Sequence, residues 1–118
     1  MPIANEVDRL PKEESPLEIE FERQLIEEGI GFEREFRFAP ERRWRADFRI
    51  LETNLLVEMN GGTWMKKSGH NTTKGIQRDY EKSNAAQLAG FVYLQFTERE
   101  LDNRTAIETV KEFIREAK

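Results

Sequence analysis

RADFRILETNLLVEMNGG, residues 45–62, is the stretch whose reading decides the fold. Arg45 to Leu51 and Leu55 to Met59 read as two strands flanking Glu52-Thr53-Asn54, a hairpin turn, and Asn60-Gly61-Gly62 breaks the second of them. Leu55, Leu56 and Val57 form a nearly continuous apolar run, the mark of a central strand covered on both faces.

Upstream, Phe32, Arg34, Phe36 and Phe38 alternate with Glu33, Glu35 and Arg37, which predicts another strand closing at Ala39-Pro40. Before it, Ser15-Pro16-Leu17-Glu18 supplies an N-cap, a first-turn proline and a glutamate three residues after the cap. Leu17, Phe21 and Leu25 continue at helical spacing until Gly29 and Gly31. Downstream, Thr63 to Thr73 reads as a polar loop, Lys74 to Ala89 as a helix stopped by Gly90, and Phe91 to Phe96 as a fourth strand. Thr97-x-x-Glu100 and Thr105-x-x-Glu108 are capping boxes, the second opening a helix with Ile107, Val110, Phe113 and Ile114 on one face. The order α-β-β-β-α-β-α predicts an α/β fold, a mixed central sheet with helices against its faces. Residues 1–14 are expected to be a flexible polar segment, and 15–118 a single domain.

With no cysteine, neither a disulfide scaffold nor a cysteine-based zinc site is available. The apolar stretches are short, and the N-terminus lacks the basic start and apolar run of a signal peptide, so a cytoplasmic protein with no membrane partner is expected. A net charge of -4 argues against a non-specific polyanion binder. The distribution weakens that objection: residues 31–82 hold eleven basic and eight acidic side chains, while residues 1–30 hold three and nine.

Asp47 and Glu58 stand on consecutive strands. For a loop of Leu51 to Asn54 or of Glu52 to Leu55 they pair directly or one diagonal step apart, on one face in either register. Directly opposed β-carbons lie about 4.5 to 5.5 Å apart. Two carboxylates that close repel unless a cation lies between them or one takes a proton. Magnesium suits the gap, because it binds oxygen at about 2.1 Å and commonly uses one or two carboxylates. The alternative is a solvent-facing pair compensated by neighbouring arginines.

The order Leu17-Glu18-x-x-Phe21, Arg45-Ala46-Asp47-Phe48 and Leu56-Val57-Glu58-Met59-Asn60-Gly61-Gly62-Thr63-Trp64 resembles the PD-(D/E)XK nuclease superfamily. The continuation through His70, Gly75, Asp79-x-Glu81-Lys82, Asn84-Ala85-Ala86 and Gly90 to Thr97 is similar to its small, very-short-patch-repair-like and phage-type members. The resemblance spans roughly residues 15 to 115 and implies a restriction-endonuclease-like core and a magnesium-dependent endonuclease, with manganese as a substitute. It also implies ligation by Asp47, Glu58 and the Met59 carbonyl, with Glu18 approaching from the first helix. The implied chemistry is phosphodiester hydrolysis by a metal-activated water. Glu18 is equally the reciprocal residue of the Ser15 capping box.

The sequence departs from the family where the signature lysine should stand, since position 60 is Asn. Lys82, His70, Lys66 and Lys67 are candidate substitutes. Lys82 is favoured because Arg78 and Lys82 continue the small-residue stripe of Ala85, Ala86 and Ala89, which would let Lys82 reach toward Asn60; it can equally be a lysine snorkelling at a packed edge. His70, the only histidine, is a candidate proton shuttle in a polar loop where a solvated histidine is also expected. Arg42, Arg43, Arg45, Lys66, Lys67 and Arg78 are the candidate nucleic-acid contacts. Arg34, Arg37 and Arg49, with Phe36, Phe38, Trp44 and Phe48, read either as part of that surface or as ion pairs over core aromatics.

Three functions follow: a metal-dependent endonuclease on DNA, with RNA still open, in repair, recombination or phage DNA processing; an inactive nucleic-acid-binding module of the same fold; or a protein-interaction domain. A homodimer is compatible with the first.

Overall fold

A computed structural model of the chain describes residues 15–60 and 73–117. Helix α1 (Pro16–Glu27) is followed by strands β1 (Phe32–Arg37), β2 (Arg45–Ile50) and β3 (Leu55–Met59). Helix α2 (Thr73–Leu88), strand β4 (Val92–Phe96), a short helix α3 (Glu98–Asp102) and helix α4 (Thr105–Ala117) complete it. The sheet order is β1-β2-β3-β4, with the first three strands antiparallel and β4 parallel to β3. A parallel return needs a crossover, and α2 lies in that connection. The chain is therefore a mixed α/β protein with a four-stranded mixed sheet flanked by helices. Among the described residues no helix is long and apolar enough to cross a membrane.

The local chemistry explains the boundaries. Ser15 Oγ accepts the Glu18 N–H at 3.2 Å, Pro16 opens α1 where its missing N–H costs nothing, and Gly29 takes φ 72° just past the helix end. Thr97 donates to Glu100 through both its N–H and its hydroxyl, so the capping box expected there does open a helix, the short α3, which the sequence order did not count. At α4 the expectation is corrected: the helix starts at Thr105, and Asn103 Oδ1 accepts the Thr105 N–H at 2.9 Å. That bond is a local turn closed by the residue that ends α3, with Arg104 between the two at φ 66°.

Two apolar clusters, one on each face, make three layers. Phe21 and Leu25 of α1, Leu101 of α3 and Ala106, Ile107 and Val110 of α4 pack on Phe48, Ile50, Leu55, Val57 and Met59. On the other face Ala86 of α2 packs with Phe38, Ala39, Ala46 and Leu56. Leu55, Leu56 and Val57 are all fully buried, as the apolar run implies for a strand covered on both sides.

The simple alternation read for β1 does not hold along its whole length. Phe32 packs with the α1 cluster, whereas Phe36, four residues on, packs on the α2 side against Phe91. Glu35 lies between them at φ 54°. That left-handed residue turns the strand over without inserting anything, for the register with β2 is the same on both sides of it. β2 answers in kind, with Phe48 in one cluster and Ala46 in the other.

Candidate metal centre

The β2–β3 ladder pairs Arg49 with Leu56 and Phe48 with Val57, so one further step sets Asp47 opposite Glu58, the direct register of the two expected from the turn. At that step the carboxylates take over from the backbone. Asp47 Oδ2 accepts the Met59 N–H at 2.9 Å, and Glu58 Oε1 accepts the Asp47 N–H at 3.3 Å. Each acid thus satisfies a backbone donor of the other's strand that would otherwise be buried unpaired. Asp47 is only 3% exposed.

Three carboxylates converge beside this fork. One oxygen each from Glu18, Glu35 and Asp47 lies within 4.8 Å of the others. Three elements deliver them. Glu18 is in the first turn of α1, where Ser15 caps its N–H while its carboxylate turns to the sheet. Glu35 stands across from Asp47 in the β1–β2 register, between Arg34↔Phe48 and Phe36↔Ala46. Arg34 ties the group together: Nη2 meets Glu18 Oε1 at 2.6 Å, Nη1 meets Glu22 Oε1 at 2.6 Å, and Nε donates to the Asp47 carbonyl at 3.2 Å. Its guanidinium carbon lies 4.5 Å from the centre of the Phe48 ring.

Glu58 is not in that trio. Its Oε2 meets Lys82 Nζ at 3.1 Å, with both side chains less than one-fifth exposed. Burial and the neighbouring Asp47 charge push the Glu58 pKa above the ordinary carboxylate value, and Lys82 and the Asp47 N–H work against that rise. Tyr93 of β4 faces the same acids; burial first, then the charges of Glu58 and Asp47, raise its pKa well above the ordinary phenol value.

The other expected residues divide clearly. Lys82 does project from α2 to the site, with Ala86 buried one turn on, but it reaches Glu58 rather than Asn60. The Asn60 amide instead donates to Gln95 Oε1 at 2.9 Å, and its N–H to the Phe96 carbonyl, because Asn60 continues the β3–β4 ladder past Met59↔Phe96. Met59, whose carbonyl the resemblance offers as a ligand, is buried directly beside Asp47. Arg42 and Arg43 are exposed in the β1–β2 connection, Arg42 with its guanidinium 4.2 Å from the Trp44 ring centre. Arg45 begins β2 and is half-buried, and Arg78 is exposed on α2. Arg34 and Arg49 belong to the internal ion pairs, Arg49 with Glu33 at 3.0 Å. Lys66, Lys67 and His70, with Gly61, Gly62 and Trp64, lie outside the described residues, as do residues 1–14.

Glu35 and Arg34 were not among the expected site residues. The seven residues between β1 and β2 are too many to count a register across, so nothing in the sequence sets Glu35 opposite Asp47. The assembled donors are hard oxygens held close together by three different elements, which fits a hard divalent cation such as magnesium or manganese and not a soft one.

No protein-family model matches the chain, and neither a curated protein nor a solved structure is found to be similar to it.

Proposed function

We propose that this chain is a divalent-cation-dependent endonuclease that hydrolyses phosphodiester bonds in DNA, with a restriction-endonuclease-like core of the PD-(D/E)XK type. The observation that carries the reading is the convergence of Glu18, Glu35 and Asp47 within 4.8 Å, beside a Glu58–Lys82 pair at 3.1 Å. Arg34 already offsets part of their charge through Glu18, and their oxygens converge as a hard divalent cation requires; a second charged pair next to them supplies what phosphate chemistry also needs.

Asp47, Glu18 and Glu35 would hold Mg2+ or Mn2+, with Glu58 and the Met59 carbonyl adjoining. When bound, the cation lowers the pKa of water and offsets phosphate charge. Lys82, paired with Glu58 at 3.1 Å, is placed to balance charge on the phosphate oxygens in the role the family gives to a lysine at position 60. Arg42 and Arg43 approach from the β1–β2 connection, Arg45 from the start of β2, and Arg78 from α2, as contacts to the nucleic-acid backbone.

One observation favours the inactive binding module instead: position 60 is Asn, and its amide is committed to Gln95 at 2.9 Å. Cleavage of labelled single-stranded, duplex, mismatched and branched DNA, and of RNA, with magnesium or manganese separates the two. The wild type is expected to cut one of these polymers only with the cation, and an Asp47→Ala, Glu58→Ala variant to cut none. If both proteins bind nucleic acid and neither cuts, the module reading replaces this one.

A further inference from the structure

We infer that Arg34 is a positioning residue for the cation site, the group that aims Glu18 at Asp47, and not a contact for nucleic acid. This rests on the cation-site part of the proposed function and needs nothing of the cleavage. Arg34 is 13% exposed, so no polymer backbone can lie against it. All three of its nitrogens are engaged, each by a different element or turn: Nη2 by Glu18, Nη1 by Glu22 one helical turn on, and Nε by the Asp47 carbonyl. The plane of the guanidinium is set by the Phe48 ring beneath it. One rigid fork therefore fixes the height and rotation of α1 over β2, and with them the distance from Glu18 to Asp47.

A cation site places two demands on such a residue. Ligand oxygens must be oriented by groups outside the coordination sphere, and the acids must be held together before the cation arrives. Arg34 meets both, since its charge lies within hydrogen-bond distance of Glu18 and its Nε holds the backbone of Asp47 itself. Lysine would keep the charge, but its three donors sit on one nitrogen at the end of a flexible stem and cannot span the partners that Nη1, Nη2 and Nε reach from separate positions.

The test is Mn2+ binding to the full chain, read by the loss of the free-ion paramagnetic resonance signal, for wild type, Arg34→Lys and Arg49→Lys. Arg49 is the matched control: it also spans an ion pair, a backbone carbonyl and an aromatic ring on this sheet, but with Glu33, Thr53 and Phe36, away from the acids. Arg34→Lys is expected to weaken Mn2+ binding by about 10- to 100-fold, and Arg49→Lys to leave it unchanged. If Arg34→Lys does not fold, Glu18→Gln with Arg34→Met removes both charges together; its Mn2+ affinity should fall less than about tenfold below that of Glu18→Gln alone, the remainder being what release of the Asp47 carbonyl costs, because Arg34 acts mainly through Glu18. Wild-type affinity in folded Arg34→Lys, a further loss of about tenfold or more in the double variant, or no Mn2+ binding by the wild type would each overturn the inference. Mn2+ binding without cleavage would sink the nuclease and leave the role of Arg34 standing.

Discussion

At the scale of single residues, the Glu58–Lys82 pair shows how the site is balanced. Removing one partner of a buried pair leaves the other charge uncompensated, at about 3–5 kcal/mol, and the residual exposure here puts the cost near the lower end. Lys82→Met should therefore lower the unfolding free energy by about 3 kcal/mol in urea, and adding Glu58→Gln should restore much of it. Glu58 also makes stability depend on pH. Its pKa is raised on folding above 4.5, so the stability it contributes is fully present below pH 4.5 and is lost as pH rises through the folded-state value. In chelator, urea unfolding at pH 4 and pH 7 should show the advantage of wild type over Glu58→Gln shrinking as pH rises. An advantage that grows would mean that Lys82, not burial, dominates at Glu58.

Turns and caps decide the elements. Glu52 sits at φ 64° in the four-residue β2–β3 turn with its side chain exposed, so glycine relieves a left-handed conformation at no loss of packing. Glu52→Gly should raise stability by about 0.5–1 kcal/mol in urea unfolding and leave cation binding untouched. The same turn is why half of the site is legible in the sequence: its length fixes a register, and the register places Asp47 across from Glu58. Lys82 is legible too, because Ala85 and Ala86 mark the helical face that approaches the sheet. Glu35 is not. Its place depends on a seven-residue connection and on one left-handed residue that turns β1 over, and neither leaves a periodic trace. Arg34 is legible only in part: it falls in the same alternating set as Phe32 and Phe36, which allows an ion pair over core aromatics, but nothing in the sequence shows that α1 brings Glu18 and Glu22 over it.

Over the whole molecule, the acids gather at one end of the sheet. β3 finishes at Met59 beside the finish of its parallel neighbour β4 at Phe96, and β2 begins there after the connection that carries Arg42 and Arg43. Ligands of open α/β sheets bind outside the carboxyl ends of parallel strands, and here that end also carries exposed arginines. The acidic excess of residues 1–30 does not contradict a polyanion substrate, because much of it is spent within the fold: Glu18 and Glu22 on Arg34, Glu20 on Arg23, and Glu28 on Arg104 and Lys111. The most direct measurement of the central claim, that these acids form a working cation site, is the magnesium dependence of DNA cleavage by Glu35→Gln set beside Glu33→Gln. Both remove one acid from the same strand, but only Glu35 belongs to the trio. The account predicts that Glu35→Gln needs at least about tenfold more magnesium for half-maximal rate while Glu33→Gln matches wild type. Identical magnesium curves for all three proteins, or cleavage that persists in chelator, would contradict it.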